Sequence, residues 1–401
     1  MARLLEHHAL ELLKRGDVPV PHFQVISTPV AAGEAATQIG CPVVLKALIP
    51  VGGRGKAGAI KMAESPSEAS EYARGLLGRS ILNFPVNELL LSKVVRIAKE
   101  FFVSIAFDSM SRKPVVLFSS MGGVDVETIL LKDPNRLIQM PVDISLGLRP
   151  IQAKEIAERA GLRGKVLEEA AQIFTRLYGV FRRYDAQTVE VNPLVLTDED
   201  RMVAASAVIV VDDQALYRHP ELEGIADPEQ TNGWRPLTKL EREIRAIDRI
   251  DAGSAIRFNE FEEGDIAFMI TGGGSGLLSF DLIKRLGGNP ATTFDITPGR
   301  VEEKMYLATK AILSRPGLRG MIAGGNITNF IPIDIKVRGV VRALKDLGVD
   351  PRKFPVVFRY AGPGVEVAKE LASEMPGIEF YDAESSLEEA VRRIVELTRA
   401  E

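Results

Sequence analysis

The sequence predicts two domains, an α+β first half and an α/β second half built on a doubly wound parallel sheet. The chain has 401 residues, more than one hydrophobic core usually serves. Short apolar strands lie close together in the first half. The second half repeats an apolar strand, a glycine-rich loop and a helix three times, which is typical of a parallel sheet with helices on its faces.

The composition is that of an ordinary globular protein, with 46% hydrophobic and 26% charged residues. A net charge of -4 gives no reason to expect a nucleic acid partner. The single cysteine, Cys41, excludes an internal disulfide and fits a reducing compartment. No stretch approaches the roughly 18 to 20 apolar residues that span a bilayer. We therefore expect a cytoplasmic protein that does not bind membranes.

The first domain begins with a helix within residues 1–21, because leucines recur there at helical spacing and Glu6 and Glu11 interrupt any leader-like apolar run. A second helical pattern runs from 153 to 183. Strand patterns occur at 42–48, 89–95, 101–107, 114–120 and 188–196. These elements predict a substantially antiparallel sheet with helices.

The segment from Tyr217 to about Ile256 is charged and has no strand signal, so we interpret it as the crossing between domains. We place the domains at 1–240 and 241–401. After the crossing come the three strand and loop patterns "DIAFMITGGGSG", "GMIAGGNITNF" and "FPVVFRYAGPG", each leading into a helix.

These three glycine-rich loops are candidate anion sites, because a helix N-terminus presents unpaired N–H groups and glycine lets a ligand approach the backbone. For any one loop, turn geometry alone explains the glycines equally well. Three such loops at one edge of a sheet favour a bound anion. None of these three loops has the G-x-G-x-x-G or the P-loop spacing, which argues against a dinucleotide site and a P-loop NTPase there.

The loop "GGRGKAGAIK" at 52–61 differs, because its glycines alternate with Arg54, Lys56 and Lys61. A flexible cationic hairpin of this kind suits a lid over triphosphate oxygens, with Lys46 as a further positive charge for the same phosphates. The alternative is a solvated hairpin with surface lysines.

Glu190 and Asn192 lie two residues apart on a predicted strand and therefore face the same side. A carboxylate and an amide oxygen are ligands that Mg²⁺ accepts beside nucleotide phosphates. The alternative is the polar face of an exposed strand, but Val189, Val191 and Leu194 imply that the opposite face is buried.

Taken together, the motifs resemble a known family over essentially the whole chain. They are Lys46, "GGRGKAG", "AKE" ending at Glu100, "GGVDVE" at 122–127, "VEVNPLV", and the later "GGG" and "GGN" loops. Their order and spacing resemble the β-type subunits of ADP-forming acyl-CoA synthetases, of which succinyl-CoA synthetase is the best known. The resemblance implies an ATP-grasp domain followed by a flavodoxin-like ligase domain.

The family reaction phosphorylates a histidine on a partner α-type subunit, transfers the phosphoryl group to a carboxylic acid and lets coenzyme A displace it. The resemblance therefore implies ATP and Mg²⁺ as cofactors and a CoA-binding α-type subunit in a hetero-oligomer. The histidines lie outside every glycine-rich loop, so none is expected to carry the phosphoryl group, and their spacing suggests no metal site. They are His7, His8, His22 and His219.

The resemblance also assigns roles in the first half. Glu190 would orient the partner's histidine, Glu100 would fix the nucleotide and Asn192 would bind Mg²⁺. The residues expected to contact the nucleotide phosphates are Lys46, Gly53, Arg54 and Gly55. Positioning and charge neutralisation are what phosphoryl transfer requires of a protein.

The second half indicates the acid. "GGNITNFIPIDIKVRGVVRAL" resembles the G-G-S-I-A-N-F-T loop of ATP-citrate lyases and citryl-CoA synthetases more closely than the N-I-F-G-G-I-V-R loop of the succinate enzymes. Additional side-chain donors suit citrate better than succinate, and Phe330 could wall the pocket. The candidate acid-binding residues are Gly273, Gly274, Ser275, Asn326, Thr328, Asn329, Phe330 and Arg359.

Three positions depart from the family pattern. Tyr360 stands where the citrate enzymes have a second arginine, and Ser92 and Ser206 stand where the succinate family has a glutamate and a magnesium-binding aspartate. Asp212 or Asp213 could compensate. Three functions therefore remain open: citryl-CoA formation, the same chemistry on succinate or malate, and a non-catalytic subunit that does not use ATP.

Overall fold

The computed structural model describes residues 2–123, 136–226, 235–251 and 253–399. The chain forms two compact units, Met1–Pro236 and Leu237–Glu401. Of the "GGVDVE" motif, only Gly122 and Gly123 belong to the described residues. None of the helices in the described ranges is both long and apolar enough to cross a bilayer.

The described part of the first unit contains thirteen strands and five α-helices. The helices are α1 (Glu6–Arg15), α2 (Pro29–Ile39), α3 (Pro66–Leu76), α4 (Pro150–Arg159) and α5 (Gly164–Arg183). The strands are β1 (Ala2–Arg3), β2 (Phe23–Ile26), β3 (Val43–Ala47), β4 (Ile60–Ala63), β5 (Ser80–Ile81), β6 (Phe84–Pro85), β7 (Leu89–Lys93), β8 (Lys99–Asp108), β9 (Lys113–Ser119), β10 (Leu137–Pro141), β11 (Ala186–Leu196), β12 (Met202–Ala204) and β13 (Ala207–Val211).

Two antiparallel sheets organise this unit, and a short hairpin of β5 and β6 accompanies them. The larger sheet has the order β1-β13-β11-β8-β9-β10, with β12 paired to β11, and its core includes residues of α1 and α5. The smaller sheet has the order β2-β7-β3-β4 and packs on α2 and α3. The predicted strands and the antiparallel character are confirmed. The connection at 52–61 joins the antiparallel strands β3 and β4, as a hairpin requires.

The helical pattern predicted over 153–183 is confirmed, and two helices occupy this stretch. Gly161 has a φ of 80°, in the left-handed region that glycine adopts without steric cost. Its N–H donates to the Glu158 carbonyl oxygen, and the Leu162 N–H donates to the Ala157 carbonyl oxygen. These bonds end α4 before α5 begins at Gly164.

In the second unit, the described residues form six helices and six strands. The helices are α6 (Lys239–Asp248), α7 (Gly273–Arg285), α8 (Val301–Leu313), α9 (Ile333–Asp346), α10 (Val365–Ser373) and α11 (Leu387–Arg399). The strands are β14 (Ile256–Glu260), β15 (Ile266–Thr271), β16 (Thr292–Ile296), β17 (Gly320–Ile327), β18 (Val356–Ala361) and β19 (Ile378–Tyr381).

Strands β15, β17, β18 and β19 pair in parallel in that order, while β14 pairs with β16. Strand β16 lies beside β15, since the Ala291 N–H donates to the Ile266 carbonyl oxygen and the Thr292 hydroxyl bonds both backbone groups of Phe268. The order is therefore β16-β15-β17-β18-β19. Helices α7 and α11 cover one face, and α8, α9 and α10 cover the other.

This order is that of a flavodoxin-like doubly wound sheet, as predicted. From β15 the chain first passes outward to β16 and then across to β17. The topological switch point therefore lies between the carboxyl ends of β15 and β17, where ligands of such sheets usually bind.

The charged segment predicted to cross between the domains contains a helix, α6, that was not predicted. Thr238 and Glu241 form a capping box at the start of α6. Leu240, Ile244 and Ile247 are buried in the second unit's core. This part of the predicted crossing is therefore a structural element of the second unit.

Candidate functional site

The first unit brings two cations, Lys46 and Arg54, to one buried carboxylate, and a third cation, Arg3, lies near Arg54. We call Arg3, Glu6, Lys46 and Arg54 the basic cluster. Glu6 Oε1 lies 2.8 Å from Lys46 Nζ, and Glu6 Oε2 lies 2.7 Å from Arg54 Nη1. Lys46 Nζ also donates to the Ala205 carbonyl oxygen at 2.8 Å. The predicted phosphate ligands Lys46 and Arg54 therefore do lie together, held by a glutamate that sequence reasoning missed.

Glu6 is fully enclosed, with a side chain that is 1% exposed. Burial alone would raise the pKa of Glu6, but Lys46 and Arg54 outweigh it and lower this pKa to about 2. The Ser206 hydroxyl acts in the same direction. At the position where the family has an aspartate, the serine therefore lies next to the Glu6 carboxylate.

Arg3, also missed, completes the cluster from strand β1. Burial and the nearby Arg54 lower the pKa of Arg3, while Glu190 opposes the shift. Strand β1 pairs with β13, so Arg3 is fixed to the edge of the larger sheet. Arg3 therefore lies within electrostatic reach of both the glycine-rich hairpin and the Glu190 strand.

Glu190 and Asn192 lie on β11 as the alternation predicted, because Val189 and Val191 are fully buried while the two polar residues are half-buried. Asn192 Oδ1 accepts a hydrogen bond from the Gly123 N–H at 2.9 Å. Asp212 caps a short 3₁₀ turn by accepting from the Gln214 N–H, so its carboxylate already has a local structural role.

The metal prediction can be tested against the side chains that converge here. Among the described residues, no group of three or more His, Cys, Asp or Glu side chains is arranged to hold an ion. Mg²⁺ that arrives with a nucleotide needs only one or two protein oxygens, because phosphates and water supply the rest. Glu190 and Asn192 fit that lesser requirement, and their metal role stays a prediction.

Glu100 and Asn192 approach the same glycine. A Cβ atom on Gly123 would lie 2.4 Å from Glu100 Oε2, and one on Gly122 would lie 2.4 Å from the Phe101 backbone nitrogen. These glycines let the loop after β9 pack directly against β8. Ser92, by contrast, is 3% exposed and lies on β7 between β2 and β3.

The hairpin glycines are not packed in this way. Gly53 has a φ of 73°, and a Cβ atom there would meet no atom within 4 Å. A Cβ on Gly55 would meet only the end of the Ile60 side chain at 3.9 Å. The hairpin is therefore open around these two positions, which suits a ligand that approaches the backbone.

In the second unit, the loop before α7 forms a compact turn. The Ser275 hydroxyl donates toward the carbonyl oxygens of Thr271 and Gly272, at 2.9 and 2.8 Å. The Gly272 N–H donates to Asp295 Oδ1 at 2.9 Å. A Cβ on Gly273 or Gly274 would meet nothing within 4 Å. The backbone at these two glycines is thus open to a ligand, while the Ser275 hydroxyl proton is used within the turn.

The glycines of the second loop serve packing. Gly324 and Gly325 still belong to β17, and a Cβ on Gly324 would lie 2.1 Å from the Arg359 carbonyl oxygen. Beyond them, Asn326 and Asn329 are exposed and Thr328 is half-buried. Close packing of the strands therefore explains Gly324 without any ligand. The polar side chains that follow it are accessible to a ligand.

The role expected of Phe330 as a pocket wall stays a prediction. Phe330 is 88% exposed, whereas its neighbour Ile331 is 7% exposed and packs into the core. Because Ile331 anchors the segment, Phe330 projects outward.

Arg359 is 5% exposed and hydrogen-bonds to the backbone of the same loop. Its Nη1 donates to the Asn326 carbonyl oxygen at 2.7 Å, and its Nη2 donates to the Ser385 carbonyl oxygen at 3.1 Å. Tyr360 faces the opposite side of the sheet and packs against Phe358 and Phe380. The guanidinium of Arg359 thus hydrogen-bonds to the backbone of this loop. Direct contact between Arg359 and an acid stays a prediction.

Lys336, a residue that sequence reasoning missed, lies at the switch point. It is 2% exposed, and its Nζ donates to Thr271 Oγ1 at 2.9 Å. Thr271 in turn donates to the Gly324 carbonyl oxygen at 3.0 Å. Burial lowers the pKa of Lys336 to about 8, and Asp295 opposes that shift.

A cavity of about 410 Å³ opens beside the loop that precedes α7. Its walls are mainly apolar, with Phe261, Phe280 and Leu277 on one side and Gly272 and Asp295 at the loop. The second unit thus offers glycine backbone, hydroxyl and amide groups, and an apolar recess around one sheet edge.

Comparison with known proteins supports both halves of the sequence interpretation. The profile of the ATP-grasp domain family matches residues 3–196, and that of the ATP citrate lyase citrate-binding family matches residues 235–397. The structure of ATP citrate lyase from Methanothrix soehngenii in complex with citrate and coenzyme A superposes with a TM-score of 0.81. That match covers all of both chains at 21% identity, so it concerns the fold.

Full-length sequence relatives define the family. The β subunit of ADP-forming succinate–CoA ligase from Ignicoccus hospitalis is 35% identical over 401 residues, covering 99% of each chain. The β subunit of GDP-forming succinate–CoA ligase from Thermus thermophilus is 37% identical, covering 93% of this chain and 94% of its own. The predicted resemblance is confirmed: the chain belongs to the family of succinate–CoA ligase β subunits, which are acid–CoA ligase subunits.

Proposed function

We propose that the chain is the nucleotide-binding subunit of an ADP-forming ligase that makes citryl-CoA from citrate, ATP and CoA. It would act with an α-type CoA-binding subunit that carries the phosphorylated histidine, in a hetero-oligomer. The observation that carries the nucleotide half of this proposal is the basic cluster. Lys46, Arg54 and Arg3 place three positive charges around the open glycine hairpin.

Phosphoryl transfer asks a protein mainly to position phosphates and neutralise their charge. In this proposal the hairpin backbone at Gly53 and Gly55 approaches the phosphates, and Lys46 and Arg54 neutralise them. Glu190 and Asn192 would hold Mg²⁺ or orient the partner's histidine, and Glu100 would fix the nucleotide. Mg²⁺ would supply charge neutralisation between the phosphate oxygens.

Citrate is supported by the citrate-binding profile over 235–397 and by the polar loop of Asn326, Thr328 and Asn329. Succinate is the second candidate, because the full-length relatives are named succinate–CoA ligase subunits. Malate, a dicarboxylate with a hydroxyl group, lies between the two chemically. Tyr360 weakens the citrate assignment, since it removes the second arginine from a place near the acid.

A non-catalytic subunit is the third candidate, motivated by the buried Ser92 and by Ser206 beside Glu6. Glu6 already forms ion pairs with the two cations that would receive phosphate and offsets one of their two positive charges. An ATP molecule must therefore compete with a carboxylate whose lowered pKa keeps it ionised at neutral pH.

The test is to assemble the chain with its α-type partner and supply Mg²⁺ and γ-³²P-labelled ATP. We expect the label on the partner's histidine, and a CoA thioester after citrate and CoA are added. The same assay with succinate and malate ranks the acids. Absence of histidine phosphorylation would eliminate the ligase proposal in favour of the non-catalytic subunit. Thioester formation with succinate and none with citrate would overturn the choice of acid alone.

A further inference from the structure

The carboxyl edge of the second sheet contains a buried cation, Lys336, that has no ion-pair partner among the described residues. Lys336 Nζ makes one hydrogen bond within the described part of the chain, to Thr271 Oγ1 at 2.9 Å. Lys304, buried equally deeply in the same unit, donates to Asp248 Oδ1 and to the carbonyl oxygens of Asp251 and Ser254. Two N–H groups of Lys336 therefore lack the partners that Lys304 has.

Such an arrangement is unfavourable for folding. A buried ammonium is normally paired with a carboxylate or fully hydrogen-bonded, because otherwise nothing offsets the free energy lost when the charge leaves water. Among the described residues, no carboxylate lies within ion-pair distance of Lys336. We therefore expect this lysine to contribute less to the fold than a methionine of similar length would, which indicates that its charge has another purpose.

Its position is that of a ligand site. Thr271 is the last residue of β15, and its hydroxyl bonds Gly324 of β17, so Lys336 lies across the switch point itself. Gly325 lets these groups approach one another closely. A Cβ on Gly325 would lie 3.1 Å from the Thr271 carbonyl oxygen, 3.3 Å from Thr271 Oγ1 and 3.5 Å from Thr328 Oγ1. Two hydroxyl groups thus converge on a position without a side chain, next to the ammonium.

The neighbouring strand does not supply a cation on this side of the sheet. Tyr360 of β18 faces the same side as α9 but is buried between aromatic rings. Arg359 faces the other side and bonds carbonyl oxygens. Lys336 brings positive charge to the α9 side of the switch point.

We propose that Lys336 determines acid specificity, its ammonium binding one carboxylate of a di- or tricarboxylate substrate between the hydroxyls of Thr271 and Thr328. This inference rests on the proposed function and names a residue of its acid site. Such a contact forms a charge-assisted hydrogen bond in a site shielded from water, where it is strong. It also gives hydrogen-bond partners to the two N–H groups that have none among the described residues.

The titration of Lys336 gives an independent readout. Asp295 is the charged group that opposes the lowered pKa of this lysine. Charged groups on the elements around it are paired among themselves: Asp334 and Glu302 with Arg338, Glu303 with Arg342, and Glu366 with Lys369. A bound carboxylate favours the protonated ammonium, so binding near pH 8 should take up protons.

The experiment is isothermal titration of the full-length chain, assembled with its α-type partner, with citrate, succinate and malate. The variants are Lys336→Met and the control Lys345→Met, an exposed lysine on the same helix. We expect Lys336→Met to weaken binding of the preferred acid at pH 7 by at least about 10-fold, a ratio that corresponds to about 1.4 kcal/mol. Lys345→Met should bind like the parent, and Mg-ATP should bind all three proteins equally.

Titration of the parent near pH 8 in buffers of different ionisation enthalpy gives the proton uptake, which should vanish in Lys336→Met. This measurement on the unmodified protein does not depend on whether the variant folds. Acid binding by Lys336→Met that equals the parent's, or an absence of proton uptake by the parent, would overturn the role of Lys336 and leave the ligase proposal intact. Failure of the parent to bind any of the acids would overturn the proposed function and this inference with it.

Discussion

The two units treat their buried cations in opposite ways. In the first unit, Lys46 and Arg54 share the Glu6 carboxylate, so each of these cations has a charged partner before any ligand arrives. In the second unit, Lys336 has a hydroxyl partner and no balancing carboxylate within ion-pair distance among the described residues. The fully bonded Lys304 shows that the second unit can satisfy a buried lysine when the fold requires it. The comparison separates charges that hold the fold from charges held for a ligand.

The largest expected effect comes from removing the balancing carboxylate. Glu6→Gln leaves Lys46 and Arg54 without their counter-charge and should lower the free energy of unfolding by about 3 to 5 kcal/mol. Urea denaturation monitored by circular dichroism measures the loss. The control Glu34→Gln, on the exposed side of α2, should stay within about 0.5 kcal/mol of the parent. Equal losses in both variants would contradict the structural role of the basic cluster.

Acid should act on the same carboxylate. A folded pKa below the unfolded one gives stability that is present above the unfolded pKa and is lost as the pH falls through the folded pKa. For Glu6, whose pKa falls from 4.5 to about 2, this predicts a loss of about 3 kcal/mol between pH 5 and pH 2. Urea midpoints across this range test it. A Glu6→Gln variant that retains the parent's full acid sensitivity would refute the assignment to Glu6.

The glycine-rich loops also differ, because Gly324 is packed against β18 while Gly274 is open to solvent, and Gly324→Ala tests this difference. The new Cβ would lie 2.1 Å from the Arg359 carbonyl oxygen, so the strands must move apart. We expect a loss of about 1 to 3 kcal/mol in the free energy of unfolding. The matched control is Gly274→Ala, where nothing lies within 4 Å and alanine favours the helix. A neutral Gly324→Ala would mean that the glycine serves the ligand and not the packing.

Lys336→Met should have the opposite sign to Glu6→Gln. Removal of an incompletely bonded buried charge should raise the free energy of unfolding at pH 7 by about 1 to 2 kcal/mol. The pKa of Lys336 is lowered from 10.5 to about 8, so the unfolded chain binds more protons between these values. Stability of the parent should accordingly rise from pH 8 toward pH 10.5, and this rise should be absent in the variant. Thermal unfolding across that range decides it, and a destabilised Lys336→Met would show that the lysine supports the fold.

The smallest effects should come from the exposed loop. Asn329→Ala or Thr328→Ala should raise the apparent KM for the acid about 3- to 10-fold, the value of one hydrogen bond, and leave the KM for ATP nearly unchanged. Stability should not change, because both side chains are at least partly exposed. Steady-state kinetics of the assembled ligase provides both constants. If both variants match the parent, the loop is only a turn.

Local patterns were sufficient for most of the fold. Alternation identified β11 and placed Glu190 and Asn192 on one side, and the repeated strand, loop and helix pattern gave the doubly wound sheet. The periodic pattern did not reveal where the helices over 153–183 are divided. Gly161 separates them although the apolar spacing continues across the break.

The missed site residues did leave a signal. Glu6 lies on the stripe of α1 that also carries Ala9, Leu10 and Leu13. Lys336 interrupts the buried stripe of α9 in the same way, between Ile333 and Val340. A charge on an apolar stripe is rarely buried without a partner or a function. Both residues could thus have been marked as unusual from spacing alone.

The sequence by itself determined the family, the two folds, and the kinds of residue that could bind phosphate or an acid, because periodicity and motif spacing are local properties. Only the tertiary structure decided which of the buried cations have a carboxylate partner. The partners of Lys46 and Lys336 lie 40 and 65 residues away along the chain. Whether a buried charge contacts a carboxylate or a hydroxyl depends on how elements far apart in the sequence pack together. A local sequence pattern does not contain that information.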